Sequence, residues 1–417
     1  MAAQIRSYAK RDEVPEDLSL LASDEHRLLA REVANRAITL LKNEEIDGTS
    51  ILPLTHSPAS IAVIGRLATA ENMGDSGSSM VRPPSHVTPL EGIRAAYPKA
   101  KIIHVCEDDP KAAAKAAAEA EIAIIVAGFT KHDEGEWVGG DTMDDPILTA
   151  LYPELPEGSE IPTGEANVIM TAGYGGDRSH LALRDIDEEI ILAVADANPR
   201  TIVALVGAGT IMMERWRKQV PAILMLWYAG MEGGHAFADV LRGSVNPSGR
   251  LPFSIPTSEE HLPAFDRDAT TVTYDRWHGQ RLLDRLGVKA AYPLGWGLSY
   301  TSYRLDTAEI IGSVGQGADR ILTMHVKVSN TGERDGIQVV QVYGRGGRHA
   351  EESQLLGFAT VEVPAASSAN ASIPVRLTQL GSWDRNVGAI VLEDGEIELE
   401  VAFHAHDEQA IRLLISK

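Results

Sequence analysis

The sequence predicts an α/β protein: a mostly parallel sheet covered by helices on both sides, followed by a separate all-β sandwich. Three observations lead there. Short runs of apolar residues, each about one strand long, recur through the first 230 residues, most of them stopped by glycine. Strongly helical stretches lie between them, and strands alternating with helices build a parallel sheet buried on both faces. From Leu305 onward the texture changes to closely spaced strand-like segments without helices between them.

Residues 1–27 form a polar extension of mixed charge. Ser23-Asp24-Glu25-His26 has the form of a helix N-cap with acidic residues in the first turn. Leu28, Leu29, Val33, Ile38, Leu40 and Leu41 approximate helical spacing, so a helix is expected from Leu28 to Lys42. Ile61-Ala62-Val63-Ile64-Gly65 reads as the first buried strand, and Lys101–Val105, Ile122–Gly128, Thr201–Gly207 and Ala222–Trp227 repeat the pattern. Pro110–Ala120, rich in alanine and lysine, and Asp185–Asn198, with its Ile/Leu spacing, are expected helices. One α/β domain is therefore assigned to 28–304. Strands are expected around Leu322–Val328, Val339–Tyr343, Val375–Leu377, Ile397–Val401 and Ile411–Ile415, with turns at Asn330-Thr331-Gly332 and Asp394-Gly395, giving a β-sandwich over 305–417.

Composition narrows the function. The 417 residues hold 38 Lys plus Arg against 59 Asp plus Glu, a formal charge of −21. Such a surface repels phosphate backbones and anionic headgroups, so no nucleic acid and no membrane partner is expected, and a neutral or cationic ligand fits better. No apolar run is long enough to span a bilayer. Cys106 is the only cysteine, so an internal disulfide and a cysteine-ligated metal are both excluded. The 13 histidines show no paired metal spacing, and neither metal nor cofactor is implied. Met1–Arg11 carries positive charge with no apolar stretch after it, which makes a cytoplasmic location the default expectation.

Four segments could carry chemistry. Asn72–Ser79 follows the first strand, where open α/β sheets place ligands, although Gly, Ser and Asp also make plain turns. Lys131-His132-Asp133-Glu134-Gly135-Glu136-Trp137 follows the strand ending at Gly128. An acidic run is commonly a solvated face. At a strand end, however, carboxylates beside an indole suit a sugar site, one group protonating a glycosidic oxygen and the other covering the ring. Val206-Gly207-Ala208-Gly209-Thr210 matches a dinucleotide fingerprint only weakly, since Met212 stands where a third glycine is needed. Tyr274–Gly279 with Tyr292–Tyr300 is an aromatic, glycine-rich stretch that suits interface packing better than catalysis.

Taken together, several of these residues resemble glycoside hydrolase family 3. They are Ala30-Arg31-Glu32-Val33-Ala34 leading to Leu40-Leu41-Lys42-Asn43, Gly74-Asp75-Ser76-Gly77-Ser78-Ser79, and Val87-Thr88-Pro89-Leu90-Glu91-Gly92-Ile93. Trp227–Gly234, Asn246–Pro252 and Pro293–Thr301 follow in the family's order, and Val328–Gly332 with Val339–Tyr343 resembles its fibronectin-type-III-like domain. The resemblance implies a retaining glycosidase, β-glucosidase-like, whose catalytic aspartate nucleophile sits on a (β/α)8 barrel ahead of the α/β domain. No stretch here replaces the ~250 residues of such a barrel. The expected partner is therefore a separate barrel-bearing glycosidase chain, with a glycoside as substrate.

The resemblance further implies that the general acid/base comes from the loop Asp133-Glu134-Gly135-Glu136. Glu136 is the first choice and Glu134 the second, while Asp75, Arg82 and Trp137 are candidate substrate contacts. A Gly-Asp-Arg that usually follows soon after the glutamate arrives here only at Gly176-Asp177-Arg178, after an acid- and proline-rich insertion from about Gly139 to Gly173. Another branch takes its acid from a Tyr-x-Glu segment, but this chain has Tyr274-Asp275-Arg276. The rival expectation is a non-catalytic carbohydrate-binding or scaffolding protein derived from the same family.

Overall fold

The computed structural model describes residues 18–74, 81–134, 178, 180–264, 266, 269–347 and 352–416. Helix α1 (Asp24–Ala37) leads into strand β1 (Thr39–Asn43), a short ribbon β2 (Glu45–Ile46) and β3 (Thr49–Ser50), and then β4 (Ser60–Ile64). Next come α2 (Pro89–Ala96), β5 (Lys101–Val105), α3 (Pro110–Ala118), β6 (Ile122–Gly128) and the single turn α4 (Lys131–Glu134). After 135–177, α5 (Asp185–Ala197), β7 (Thr201–Val206), β8 (Ala222–Met225), α6 (Gly233–Arg242) and α7 (Gly279–Leu286) complete the α/β part.

The sheet order is β1-β8-β7-β6-β4-β5, with β1 antiparallel to β8 and the remaining pairs parallel. Strand alternation sends successive side chains to opposite faces, and the two cores follow that rule. Ile61, Val63, Ile122, Ile124, Ile202 and Leu224 join Leu90, Ile93, Phe237 and Val240 from α2 and α6. Ala62, Ile64, Ala123, Ile125, Val203 and Ile223 join Ala113, Ala117, Ile191 and Val194 from α3 and α5. The expected helix through Lys42 is corrected here: it stops at Ala37, and Leu40 and Leu41 form an edge strand with one side chain in each core. A doublet buried on both faces satisfies helical spacing and strand alternation alike, and pairing with β8 decides between them.

The last part is a two-sheet sandwich. Its strands are β9 (Tyr303–Val314), β10 (Ile321–Asn330), β11 (Gly336–Gly346), β12 (Gln354–Val363), β13 (Ser368–Arg376), the ribbon β14 (Ser382–Asp384) and β15 (Ala389–Val391), β16 (Glu396–Ala402) and β17 (Ile411–Ser416). One sheet runs β13-β10-β9 and the other β12-β11-β16-β17. Alternate residues Leu322, Met324, Val326 and Val328 of β10 face Val340, Val342, Leu399 and Val401 across a shared core.

The aromatic segment before the sandwich is the joint between the two parts. Trp296 donates from Nε1 to the Leu41 carbonyl at 2.9 Å and packs on His404 with ring centres 4.8 Å apart. Buried Tyr343 donates to the Leu294 carbonyl at 3.2 Å, and Gln341 donates to the Gly295 carbonyl at 3.2 Å. A second tie joins α7 to the sandwich, where His406 Nε2 lies 2.6 Å from Asp284 Oδ1. The Asp284 hydrogen bond raises the His406 pKa against an opposing desolvation effect, while Arg345 lowers it and Glu400 raises it. Burial pushes the Asp284 carboxyl up, but donation from His406, Gln280 and the Ser353 N–H outweighs it, leaving the pKa below the ordinary 3.8.

The sign of the pH dependence follows from those directions. Asp284 contributes stability above 3.8 that is lost as pH falls through its lowered folded value. His406 contributes stability below 6.5 that is lost as pH rises through its raised folded value. Replacing His406 by Asn tolerates the backbone φ of 61°. The gap in Tm between wild type and His406→Asn is expected to be widest between pH 3.8 and 6.5, and to close above the raised histidine value. Melting curves across that range check it, and a constant gap would deny the ion pair its role.

Candidate active site

The chain order places the ligand crevice. From β4 the chain moves outward to β5 and then returns to the other side of β4 as β6, so the strand order reverses at β4/β6. Loops leaving adjacent strands in opposite directions open a crevice at their carboxyl ends. Two contacts tie its walls: Arg66 after β4 donates to Asp133 Oδ2 at 3.1 Å, and Asn72 donates to the Phe129 carbonyl at 2.8 Å.

Backbone at the strand ends is crowded enough to demand glycine. Gly128 ends β6 with φ 142°, and a Cβ there would stand 1.9 Å from the Val206 carbonyl oxygen. The chain then turns sharply into α4. Thr130 caps that turn, its N–H and O–H donating to Asp133 Oδ2 at 2.8 and 2.9 Å. Burial raises the Asp133 carboxyl, but Thr130 and Arg66 more than offset it, so the group stays ionised below the usual carboxylate range. Asp133 is thus an anchor rather than a proton donor.

Glu134 is held more tightly still. Its Oε1 accepts from the Ala208 N–H at 2.9 Å and from the Tyr228 hydroxyl at 2.7 Å, while Oε2 faces Arg178 Nε at 3.2 Å. The side chains of Glu134 and Arg178 are only 9% and 13% exposed. Arg178 also donates to the Thr210 carbonyl at 3.1 Å and lies 4.2 Å from the centre of the Phe129 ring. Every partner of Glu134 named here donates, so its carboxylate is engaged as an acceptor. The pair also joins the two residues that flank 135–177. The segment after β7 completes this clamp, the Ala208 N–H donating to Glu134 and the Thr210 carbonyl accepting from Arg178.

Beside this clamp lies a cleft of about 470 Å³, counting its open mouth, lined by Asn72, His86, Thr88, Val206, Trp227 and Gly234 among others. Trp227 holds φ 62°, a left-handed conformation that costs a bulky residue roughly 1–3 kcal/mol. Its Nε1 donates to the Ala37 carbonyl at 2.9 Å, and its ring meets Phe253 edge-on with centres 5.8 Å apart. Those contacts over-determine the strained turn and set the indole at the cleft wall. Thr88 caps α2 there in a reciprocal capping box with Glu91.

Of the residues expected from sequence, Glu134 stands at the crevice but does not line the cleft, and Arg82 is exposed and also outside the lining. Glu136, Trp137 and Asp75 lie outside the described residues. Trp227, Tyr228, His86 and Arg178 were not expected as site residues. Trp227 and Tyr228 directly follow a buried strand, which is the signal that points to them. Among the described residues, no group of three His, Cys, Asp or Glu side chains is arranged to hold a metal, and no helix is long and apolar enough to cross a membrane.

Residues 38–300 match the glycosyl hydrolase family 3 C-terminal domain, and 338–405 match the fibronectin type III-like domain. The chain belongs to glycosyl hydrolase family 3. Probable beta-glucosidase L of Emericella nidulans is 29% identical over 93% of this chain and 53% of its own length. A beta-glucosidase of Rhizobium radiobacter is 33% identical over 58% of this chain and 32% of its own length. Among solved structures, beta-glucosidase D2-BGL from Chaetomella raphigera superposes with a TM-score of 0.78 at 25% identity, covering 94% of this chain and 55% of that one. The beta-D-glucoside glucohydrolase from Trichoderma reesei gives 0.77 at 24% identity, covering 94% and 56%. The match therefore spans 32–56% of the length of these relatives and solved structures.

Proposed function

We infer that this chain is the acid/base-bearing part of a retaining, β-glucosidase-like glycoside hydrolase, and that a barrel-bearing chain brings the aspartate nucleophile. The observation that carries the reading is the strand-end crevice, where the base of the acidic loop is pinned beside an indole-walled cleft. Retaining hydrolysis needs two carboxyl groups about 5–5.5 Å apart, one attacking the anomeric carbon and the other protonating the departing oxygen. With both Glu134 oxygens committed to donors, Glu136 is the proposed acid/base and Glu134 the anchor of its loop. Trp227 offers an apolar wall for a sugar ring.

Mixing this chain with the barrel-bearing chain is expected to release the aglycone from aryl β-glucosides that neither cleaves alone. Glu136→Gln should lower kcat/KM for poor leaving groups by about 10²–10⁴, and far less for activated ones, which need little protonation. Equal losses on both would move the acid elsewhere, and full activity in the isolated chain would refute the division of labour.

A further inference from the structure

The ribbon β14–β15 stands at the end of the sandwich remote from the α/β part. The joint grips the last residue of β10, where the Thr301 hydroxyl donates to Asn330 at 2.6 Å. The ribbon grows from the opposite end. Just ahead of it the Leu377 N–H donates to the Arg320 carbonyl at 3.2 Å and the Thr378 hydroxyl to the Ala318 carbonyl at 2.8 Å, both acceptors lying before the start of β10. Ten residues of extended chain set those two ends about 30 Å apart. Buried Leu380 and Leu392 fasten the feet of the ribbon to the sandwich core. Its tip is a closed turn: Asp384 Oδ1 accepts from the Asn386 N–H at 2.8 Å and the Val387 N–H at 3.3 Å, and the Asp384 carbonyl accepts from the Gly388 N–H at 2.8 Å.

On this fixed support Trp383 is 64% exposed, its cross-strand partner Ile390 40% and Val387 at the tip 66%. Beside the indole lies a hollow of about 650 Å³, counting its open mouth, bordered by Asp384, Arg385, Asn386 and Glu393. We propose that Trp383 and this hollow bind a neutral β-glucan chain, a second sugar contact separate from the strand-end cleft; the choice of a glucan rests on the function inferred above. A pyranose ring has an apolar C–H face to cover an indole and hydroxyls that both donate and accept. The carboxylates can take those protons, the guanidinium can give its own, and the Asn386 amide can do both. An apolar peptide would instead bury these charged groups without partners. Strands of three residues are too short to recruit an extended peptide as a further strand. A charged polysaccharide acid is disfavoured by the formal charge of −21. A long glucan held at this pole would keep its ends at high local concentration near the cleft of the same molecule.

The test is affinity electrophoresis of the full chain in native gels containing a soluble β-glucan, with a soluble mannan in parallel gels. The wild type is expected to be retarded by the β-glucan, and Trp383→Ala to weaken that binding at least tenfold. Trp383→Tyr, which keeps an aromatic face, should lose no more than about fivefold. Melting curves of both variants should match the wild type, since the side chain is mostly in water. An unretarded wild type, retardation that survives Trp383→Ala, or retardation by mannan alone would each overturn the site. If both variants bind equally weakly, the indole face is not the contact and the proposal also fails. Retardation that depends on Trp383, with no glycosidase activity on mixing with the barrel-bearing chain, would leave this site standing and sink the proposed function. Activity on mixing with a chain that runs unretarded would do the reverse.

Discussion

Replacing Gly92 with alanine is expected to destabilise the α/β domain by about 3 kcal/mol or more, equivalent to roughly 6–12 °C in Tm for a domain of this size. The reason is a backbone contact between α2 and α6. A Cβ on Gly92 would stand 1.9 Å from the Gly234 carbonyl oxygen and 2.3 Å from its carbon. Neither can swing away as a flexible side chain would, because Gly234 lies in the first turn of α6 and its N–H donates to the Val87 carbonyl at 3.0 Å. Relief requires moving a whole helix, whose Phe237, Val240 and Leu241 are fully buried. Because Thr88 and Gly234 line the cleft, separation of the helices would also widen it. Gly312→Ala in β9 is the control: its nearest neighbour atoms would be 4.0 Å away on Thr323, so a change within about 0.5 kcal/mol is expected. Thermal and urea unfolding of both variants decide the matter, and equal effects would refute the close approach.

Arg178→Ala is the second large effect, expected to cost about 3 kcal/mol in urea unfolding. It strips the cation from a carboxylate that is 9% exposed, and it also removes the hydrogen bond to Thr210 and the packing on Phe129. Adding Glu134→Gln to Arg178→Ala should recover part of the loss, since a neutral amide tolerates the dry site better than an unpaired charge. Arg178→Lys should fall between, because an ammonium keeps the charge but cannot span Glu134 and Thr210 with one planar group. If the double variant were less stable than the single one, the ion pair would not be what anchors the loop.

Some of this architecture was open to reading in the residues and some was not, for identifiable reasons. The parallel strands announced themselves because a strand covered on both faces must be apolar throughout, as Ile61–Ile64 and Ile122–Val126 are. Edge strand β1 was hidden because its Leu40-Leu41 doublet follows directly on a real helix. Helices α2 and α6 were not expected at all, since proline and paired glycines at their starts obscure the apolar period that Leu90, Ile93, Phe237 and Leu241 form in space. At the site, the loop and its carboxylates could be named, but not their partners. Tyr228 lies 94 positions from Glu134, and no local pattern encodes that meeting.

Local chemistry by itself therefore determined the layer order, the family resemblance and the acidic loop at a strand end, because periodicity, glycine placement and short motifs act over a few residues. Which glutamate is bound as an anchor and which aromatic walls the cleft were decided only by the tertiary structure. These depend on donors, carbonyls and charges brought together from distant parts of the chain, and that proximity exists only once the sheet has formed.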